Sequence, residues 1–307
     1  MLYDQLDRNR WMTALMFGGF ALLVLVVSVA IEAVVTGGNV SAASGIIATV
    51  IAVVAILIAW FQADRIILSS LGAREPNPDV AEERRIVDLV ENLAIAAQVP
   101  APKVYIIDDP APNAFATGRS PEKGVTAFTT GLLQKMNRQQ TEAVAAHELS
   151  HIVNRDALVG VVAAVLVGVV LIVCRLLLRV LIFGGGRRRG GGGGGHPAIM
   201  ILGIVVIVLA PIFAMLLRFA VSRRRETLAD LNAVKLTRNP DAMIGALEVL
   251  NGDETQVDFG HGLASHLWIE GPEHERGSWL DRLTATHPPI PERIEALRAV
   301  AGDMRFR

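Results

Sequence analysis

Long uncharged apolar runs alternate with polar, charged segments along the 307-residue chain. Residues 11–31, 42–61, 157–174 and 198–217 carry no charge. Each run meets, or nearly meets, the roughly 20 residues a helix needs to cross a bilayer. The pattern predicts an α-helical integral membrane protein with about four transmembrane helices. The third run continues past Arg175 and Arg179 to Phe183. Charges there must snorkel or face protein.

The polar stretches read differently. Between the second and third runs, Asp79 and Glu82 are placed to cap a helix, with Ile86, Leu89, Val90 and Leu93 at helical spacing and Pro100 beyond its end. Residues 103–107 (KVYII), 113–118 (NAFATG) and 124–130 (GVTAFTT) read as three short strands, the last two separated by a turn at Ser120-Pro121. Asn137 with Gln140 opens the next helix, which runs on without a breaker into the third apolar run. After the fourth run, a charged helix over 222–235 stops near Asn239-Pro240 and a second follows over 241–251. Residues 252–278 read as irregular and polar, and Pro291 opens a final helix with Ile294 and Leu297 on one face.

Loop charge sets an orientation. Arg8 and Arg10 precede the first run, the link 36–41 is uncharged, and Arg65, Arg74, Arg84 and Arg85 follow the second. The positive-inside rule puts both ends of this hairpin in the cytoplasm. The link 184–195 opposes it, because Arg187, Arg188 and Arg189 lie within a glycine run where two full crossings would put them outside. A shallow, non-crossing third and fourth pair is the alternative. The glycine run is a flexible linker, without the strand and lysine of a phosphate-binding loop.

Composition agrees with membrane burial: 52% hydrophobic, 19% charged and 5% aromatic, with a mean hydropathy of +0.44. The net charge of -1 gives no electrostatic case for nucleic acid. The single cysteine, Cys174, excludes an intrachain disulfide and reads as a small apolar residue. The first apolar run is too long, and lacks the small-residue cleavage site, to be a cleavable signal peptide.

The chemistry lies in His147-Glu148-Leu149-Ser150-His151. Histidines four apart on a helix project from one face, so both rings can reach one zinc ion. Glu148 is beside them, where a carboxylate can take a proton from water on the metal and pass it to a leaving amine. A catalytic zinc needs a third protein ligand and one open position. The other histidines are His196, His261, His266, His274 and His287. All but His287 lie in Gly-rich or polar stretches that read as surface. Glu226 and Asp230, also four apart, offer another route: Glu226 on the metal, Asp230 steadying a histidine ring. On the residues alone, Glu226 is equally an ordinary charge on a solvated helix. If that helix does meet the HELSH helix, only the metal visibly ties the two, so metal removal should loosen them.

HELSH, SRRRETLAD, PNAFATG and THPPIPERIEAL occur in this order and setting in the M48 peptidases of the HtpX type, which the chain resembles over most of its length. The resemblance implies a zincin-like α+β metalloprotease domain facing the cytoplasm and one Zn²⁺ per chain. It makes Glu226 of the R-E-x-x-A-D motif the third ligand beside His147 and His151, with Glu148 as general base and acid. It implies a multi-pass protein of the inner (plasma) cell membrane, acting in quality control on unfolded or damaged membrane proteins. Partners would then be those substrates and the bilayer, with no nucleic acid; self-association and other quality-control components are compatible with it. Asn113, Ala114, Phe115 and Ala116 look like the family's edge strand, whose open backbone groups can pair with an extended substrate; a plain structural turn is the alternative. His287 either stabilises the oxyanion or locks the C-terminal helix. Arg223 and Arg225 either pair with acidic groups near the zinc or anchor their helix at lipid headgroups.

The expected layout is a hairpin of spans over 1–61, the first part of the catalytic domain with the HELSH helix over 62–157, the second hydrophobic pair with the Arg/Gly loop over 158–219, and the second part of the catalytic domain over 220–307. Glu226 must meet the histidines on one side of the membrane, which an even number of crossings between them satisfies. Two rivals remain. A non-catalytic scaffold or chaperone with a structural zinc would need a closed fourth ligand, which is not evident. A transporter with an intramembrane metal site would need polar groups inside the spans.

Overall fold

The computed structural model describes residues 41–155, 157–159, 223–253, 255, 269 and 288–305, with several positions of 11–25. The third apolar run beyond residue 159, the fourth run, the Arg/Gly loop, Cys174, His287 and the four surface-assigned histidines lie outside these residues. The chain divides into two compact units: Met1–Asn9, Ala63–Val161 and Val221–Arg307 form one, Arg10–Gln62 and Val162–Ala220 the other.

In the second unit, helix α1 (Ala42–Ser70) begins. It leaves Ile46, Ile47, Val50, Ile51, Val53, Val54, Leu57, Ile58 and Phe61 exposed, while Ala52 and Ala55 are buried. Phe17 meets Trp60 edge to face, with ring centroids 6.2 Å apart. Among the described residues no single helix is long and apolar enough to cross a membrane; the bent pair Thr49–Ile58 and Trp60–Ser70 passes by length and composition together.

In the first unit the chain leaves α1 at Gly72, whose φ of 62° suits glycine. Arg74 then pairs with Ile106 through two backbone hydrogen bonds of 2.8 Å. Helix α2 (Ala81–Ala97) starts from Val80, which makes no side-chain cap. This corrects the expectation for Asp79 and Glu82. The turn is closed instead from Glu83, whose Oε2 accepts from the Asn77 N–H at 2.7 Å and whose two oxygens accept from Arg74 at 2.7 and 2.8 Å. The Arg74 guanidinium also reaches Asp108 at 2.8 and 3.0 Å, so α2 is tied to the end of β1.

Strands β1 (Lys103–Ile107), β2 (Ala114–Thr117) and β3 (Val125–Thr129) form a sheet of order β1-β3-β2. β1 runs parallel to β3, and β2 antiparallel to it. Every residue of β2 and β3 is buried, so these strands lack the polar–apolar alternation of a one-sided sheet. Thr129 ends β3 and caps α3 (Thr130–Lys135). Its hydroxyl donates to the Ala111 carbonyl at 2.7 Å and accepts from the N–H of Asn113 at 2.8 Å and of Leu132 at 3.2 Å. That fills a hydroxyl's one donor and two acceptor positions. Thr129→Val should therefore lower stability by at least about 2 kcal/mol, because it strands buried backbone groups; urea unfolding in detergent measures this, and a loss under about 0.5 kcal/mol would mean water replaces the hydroxyl.

Helix α4 (Arg138–Val153) opens on a complete capping box, Asn137 and Gln140 bonding each other's backbone N–H at 3.0 and 2.9 Å. It is the central helix, packed against α2, the sheet, α5 and α6. The small side chains of Ala143, Ala145 and Ala146, all buried, let these neighbours approach closely. The sequence predicted an unbroken passage into the third apolar run. The helix stops instead at Val153: Arg155 takes φ 58°, which ends the helical hydrogen bonding before 157–159 resume it. Helices α5 (Arg223–Thr237), α6 (Pro240–Gly252) and α7 (Ile290–Arg305) complete the unit. They share one core with α2 and β3, through Ile86, Leu89, Phe128, Met243, Leu247 and Leu297.

Candidate active site

Three helices supply the site. α4 brings His147, Glu148 and His151, α5 brings Glu226 and Asp230, and α7 brings Arg293. Each pair four apart lies on one face of its helix. His147, Glu148, Glu226, Asp230 and Arg293 are all buried, and His151 is only partly covered, with 15% of its side chain exposed. Of these residues, His151 alone keeps some solvent exposure.

The two Nε2 atoms are 3.2 Å apart, and Glu226 sets Oε2 3.6 Å from His147 Nε2 and Oε1 3.6 Å from His151 Nε2. At 3.6 Å a nitrogen and an oxygen are too far apart to hydrogen-bond. The edges of a tetrahedron around an ion with bonds of about 2.1 Å are about 3.4 Å. The donor set of two imidazoles and a carboxylate thus fits one metal ion, and all three ligand atoms lie within 4.8 Å of one another.

Behind the ligands, His147 Nδ1 is 2.9 Å from Asp230 Oδ1. This is an ionic contact and not an aligned hydrogen bond; once the ring gives up one proton, the carboxylate favours keeping the other on Nδ1, which would leave the Nε2 lone pair for a metal. Asp230 is gripped by Arg293, Nε to Oδ2 at 2.9 Å and Nη2 to Oδ1 at 2.7 Å. Burial pushes the Asp230 pKa up, but Arg293 outweighs it and holds the carboxyl below its usual range. Burial lowers the His147 pKa, but Asp230 and Glu226 outweigh it and lift it to about 9.

That value governs metal uptake. With a folded pKa near 9 against 6.5 unfolded, the metal-free fold gains stability from the imidazolium below about pH 6.5 and loses it as pH rises through 9. A metal must displace this proton, so apparent affinity should rise roughly tenfold per pH unit through neutrality and level off above about 9. Chelator competition at pH 6, 7 and 8 measures it; a flat profile would mean His147 is already neutral.

The helices carrying the ligands are tied by more than a metal, contrary to the sequence expectation. α4 and α5 pack along their lengths, and the Asn232 amide donates to Ser150 Oγ at 3.0 Å. Chelation should therefore open the ligand set without separating the helices.

Asn113 is buried and its N–H is held by Thr129. Phe115 packs into the core. The bond from Thr129 N–H to the Asn113 carbonyl, 3.0 Å, fixes the alternation, so Ala114 and Ala116 direct their backbone groups to the outer edge of β2. The Ala114 carbonyl accepts from the Ile269 N–H at 3.0 Å. Arg225 is half-buried on α5 and makes contacts of its own. The sequence reading missed Arg293 altogether. Its one signal was its place in THPPIPERIEAL; by periodicity alone, an arginine beside Ile294 and four before Leu297 is indistinguishable from a surface charge.

Residues 80–301 match peptidase family M48. A "Protease HtpX homolog" of Streptococcus thermophilus is 39% identical over 307 residues, covering 97% of this chain and 99% of the relative. One from Streptococcus pneumoniae is 41% identical with the same coverage. Among solved structures, the crystal structure of S. mikatae Ste24p aligns with a TM-score of 0.45 and 19% identity over 80% of this chain, which spans 56% of that structure's length.

Proposed function

Because the chain belongs to peptidase family M48, with HtpX-type proteases among its relatives, we propose that it is a membrane-bound zinc endopeptidase in which His147, His151 and Glu226 hold the metal and Glu148 is the general base. The observation that carries this reading is the convergence of two imidazole nitrogens, 3.2 Å apart, on a buried carboxylate whose two oxygens each lie 3.6 Å from one of them. Zinc, when bound, polarises the scissile carbonyl and acidifies water. Glu148 takes the water's proton and returns it to the leaving amine. Asp230 fixes the His147 tautomer. An extended substrate backbone pairs along the outer edge of β2 beside Ala116, which favours unfolded chains without a sequence preference. His287 is the proposed donor to the oxyanion.

The face of α1 supports the membrane assignment. Nine large apolar side chains exposed along one helix are costly in water but at rest in lipid. The charges flanking the first hairpin favour a multi-pass protein with the catalytic part in the cytoplasm, and the HtpX-type relatives favour damaged membrane proteins as substrates.

The test is cleavage of an unfolded model protein by detergent-purified full-length chain, before chelation, after it, and after zinc return. Activity lost and regained at one zinc per chain is the expected result. Zinc bound at one per chain with no cleavage in any condition would favour the zinc-holding scaffold instead.

A further inference from the structure

Arg293 is the largest fully buried side chain in the described residues, and its guanidinium is shared between two functional features. Nε and Nη2 grip Asp230 side-on at 2.9 and 2.7 Å. Asp230 Oδ1, the oxygen bound by Nη2, is also the one 2.9 Å from His147 Nδ1. The remaining nitrogen, Nη1, donates to the Ile269 carbonyl at 3.2 Å. The N–H of the same Ile269 donates to the Ala114 carbonyl on the outward edge of β2. One guanidinium therefore stands two contacts from a metal ligand and two contacts from the strand edge.

Resting on the peptidase reading above, we propose that Arg293 is a positioning residue that couples the orientation of the metal ligand His147 to the substrate-facing edge of β2. A planar fork with five donors can hold both carboxylate oxygens and a carbonyl in fixed directions, which a lysine ammonium cannot. If Asp230 rotates, the His147 ring turns with it, because both meet at one oxygen. If Ile269 shifts, the Ala114 carbonyl loses its donor and the edge loosens. Three buried carboxylates, Glu148, Glu226 and Asp230, surround this cation, so its charge also offsets theirs.

A buried ion pair that merely fastens α7 to α5 is the plainer alternative, and the two differ in what they move. The experiment compares full-length wild type, Arg293→Lys, Ile269→Pro and Ile269→Ala in detergent. Zinc affinity is read by chelator competition, kcat and KM on an unfolded protein at saturating zinc, and melting temperature alongside. Arg293→Lys should weaken zinc binding by about 10- to 100-fold, as loss of a ligand-orienting partner does, and should also raise KM several-fold in a way that excess zinc does not repair. Ile269→Pro removes the N–H donated to Ala114, and Ile269→Ala serves as the control for the buried side chain lost with it; relative to that control, Ile269→Pro should raise KM at unchanged zinc affinity. Zinc affinity and KM within twofold of wild type in a folded Arg293→Lys, with only melting lowered, overturn the proposal. So does a KM in Ile269→Pro no higher than in Ile269→Ala, which decides the matter even if Arg293→Lys does not fold. A wild type that binds no zinc or cleaves nothing sinks the peptidase reading, and is thereby distinct from failure in the variants alone.

Discussion

Glu148→Gln should lower kcat for peptide hydrolysis by about three orders of magnitude while the protein keeps one zinc per chain, within the range expected for loss of a general base. Glutamine matches the shape of glutamate, so packing around this buried position is preserved. His147, His151 and Glu226 remain to hold the metal. The negative charge is removed, and with it the ability to accept a proton. Arg293, whose pKa is held up against burial chiefly by Asp230 and further by Glu226 and Glu148, loses the smallest of these supports. Side-by-side assays of zinc content, melting and cleavage separate the effects. A variant that keeps zinc and still cleaves within tenfold of wild type would move the base to another residue. A variant that loses zinc would make Glu148 part of metal retention.

Asp230→Ala should be the most destabilising single change in the site, by about 3–5 kcal/mol, because it leaves the Arg293 cation buried without its partner. For a unit of this size that corresponds to a fall of roughly 6–20 °C in melting temperature. The same change frees the His147 ring and should weaken zinc by a further 10- to 100-fold. Asp230→Ala combined with Arg293→Met removes both charges and should recover much of the stability but little of the zinc affinity, since the ring stays unsupported. Scanning calorimetry with and without chelator reads the first, competition titration the second. An Asp230→Ala protein melting within 2 °C of wild type would mean that water or a relaxed Arg293 replaces the carboxylate.

The HELSH helix was legible because its cues are local. Asn137 and Gln140 satisfy each other's neighbouring backbone N–H, and a spacing of four puts His147 and His151 on one face whatever surrounds them. The strands were legible for the same reason, since residues 103–107 and 125–129 are short apolar runs between turn residues. Local cues also misled. Asp79 and Glu82 have capping chemistry, yet Glu83 takes the role by reaching Asn77 and Arg74, a partner nine residues away. Nothing in the composition around Arg155 announces a left-handed residue, because arginine is a good helix former.

By itself, the sequence determined the two histidines, the adjacent glutamate, the apolar runs and, through four motifs in order, the family. Only the tertiary structure decided what the charged residues of the later helices do. Glu226 and Asp230 read equally well as solvated charges until packing on α4 buries them, and the pairing of Asp230 with Arg293 spans 63 residues. A charge reveals its role through desolvation and partners, and both depend on which helices meet. Periodicity reports the face of one helix; it carries no information about the face opposite, where Glu226, Asp230 and Arg293 come together.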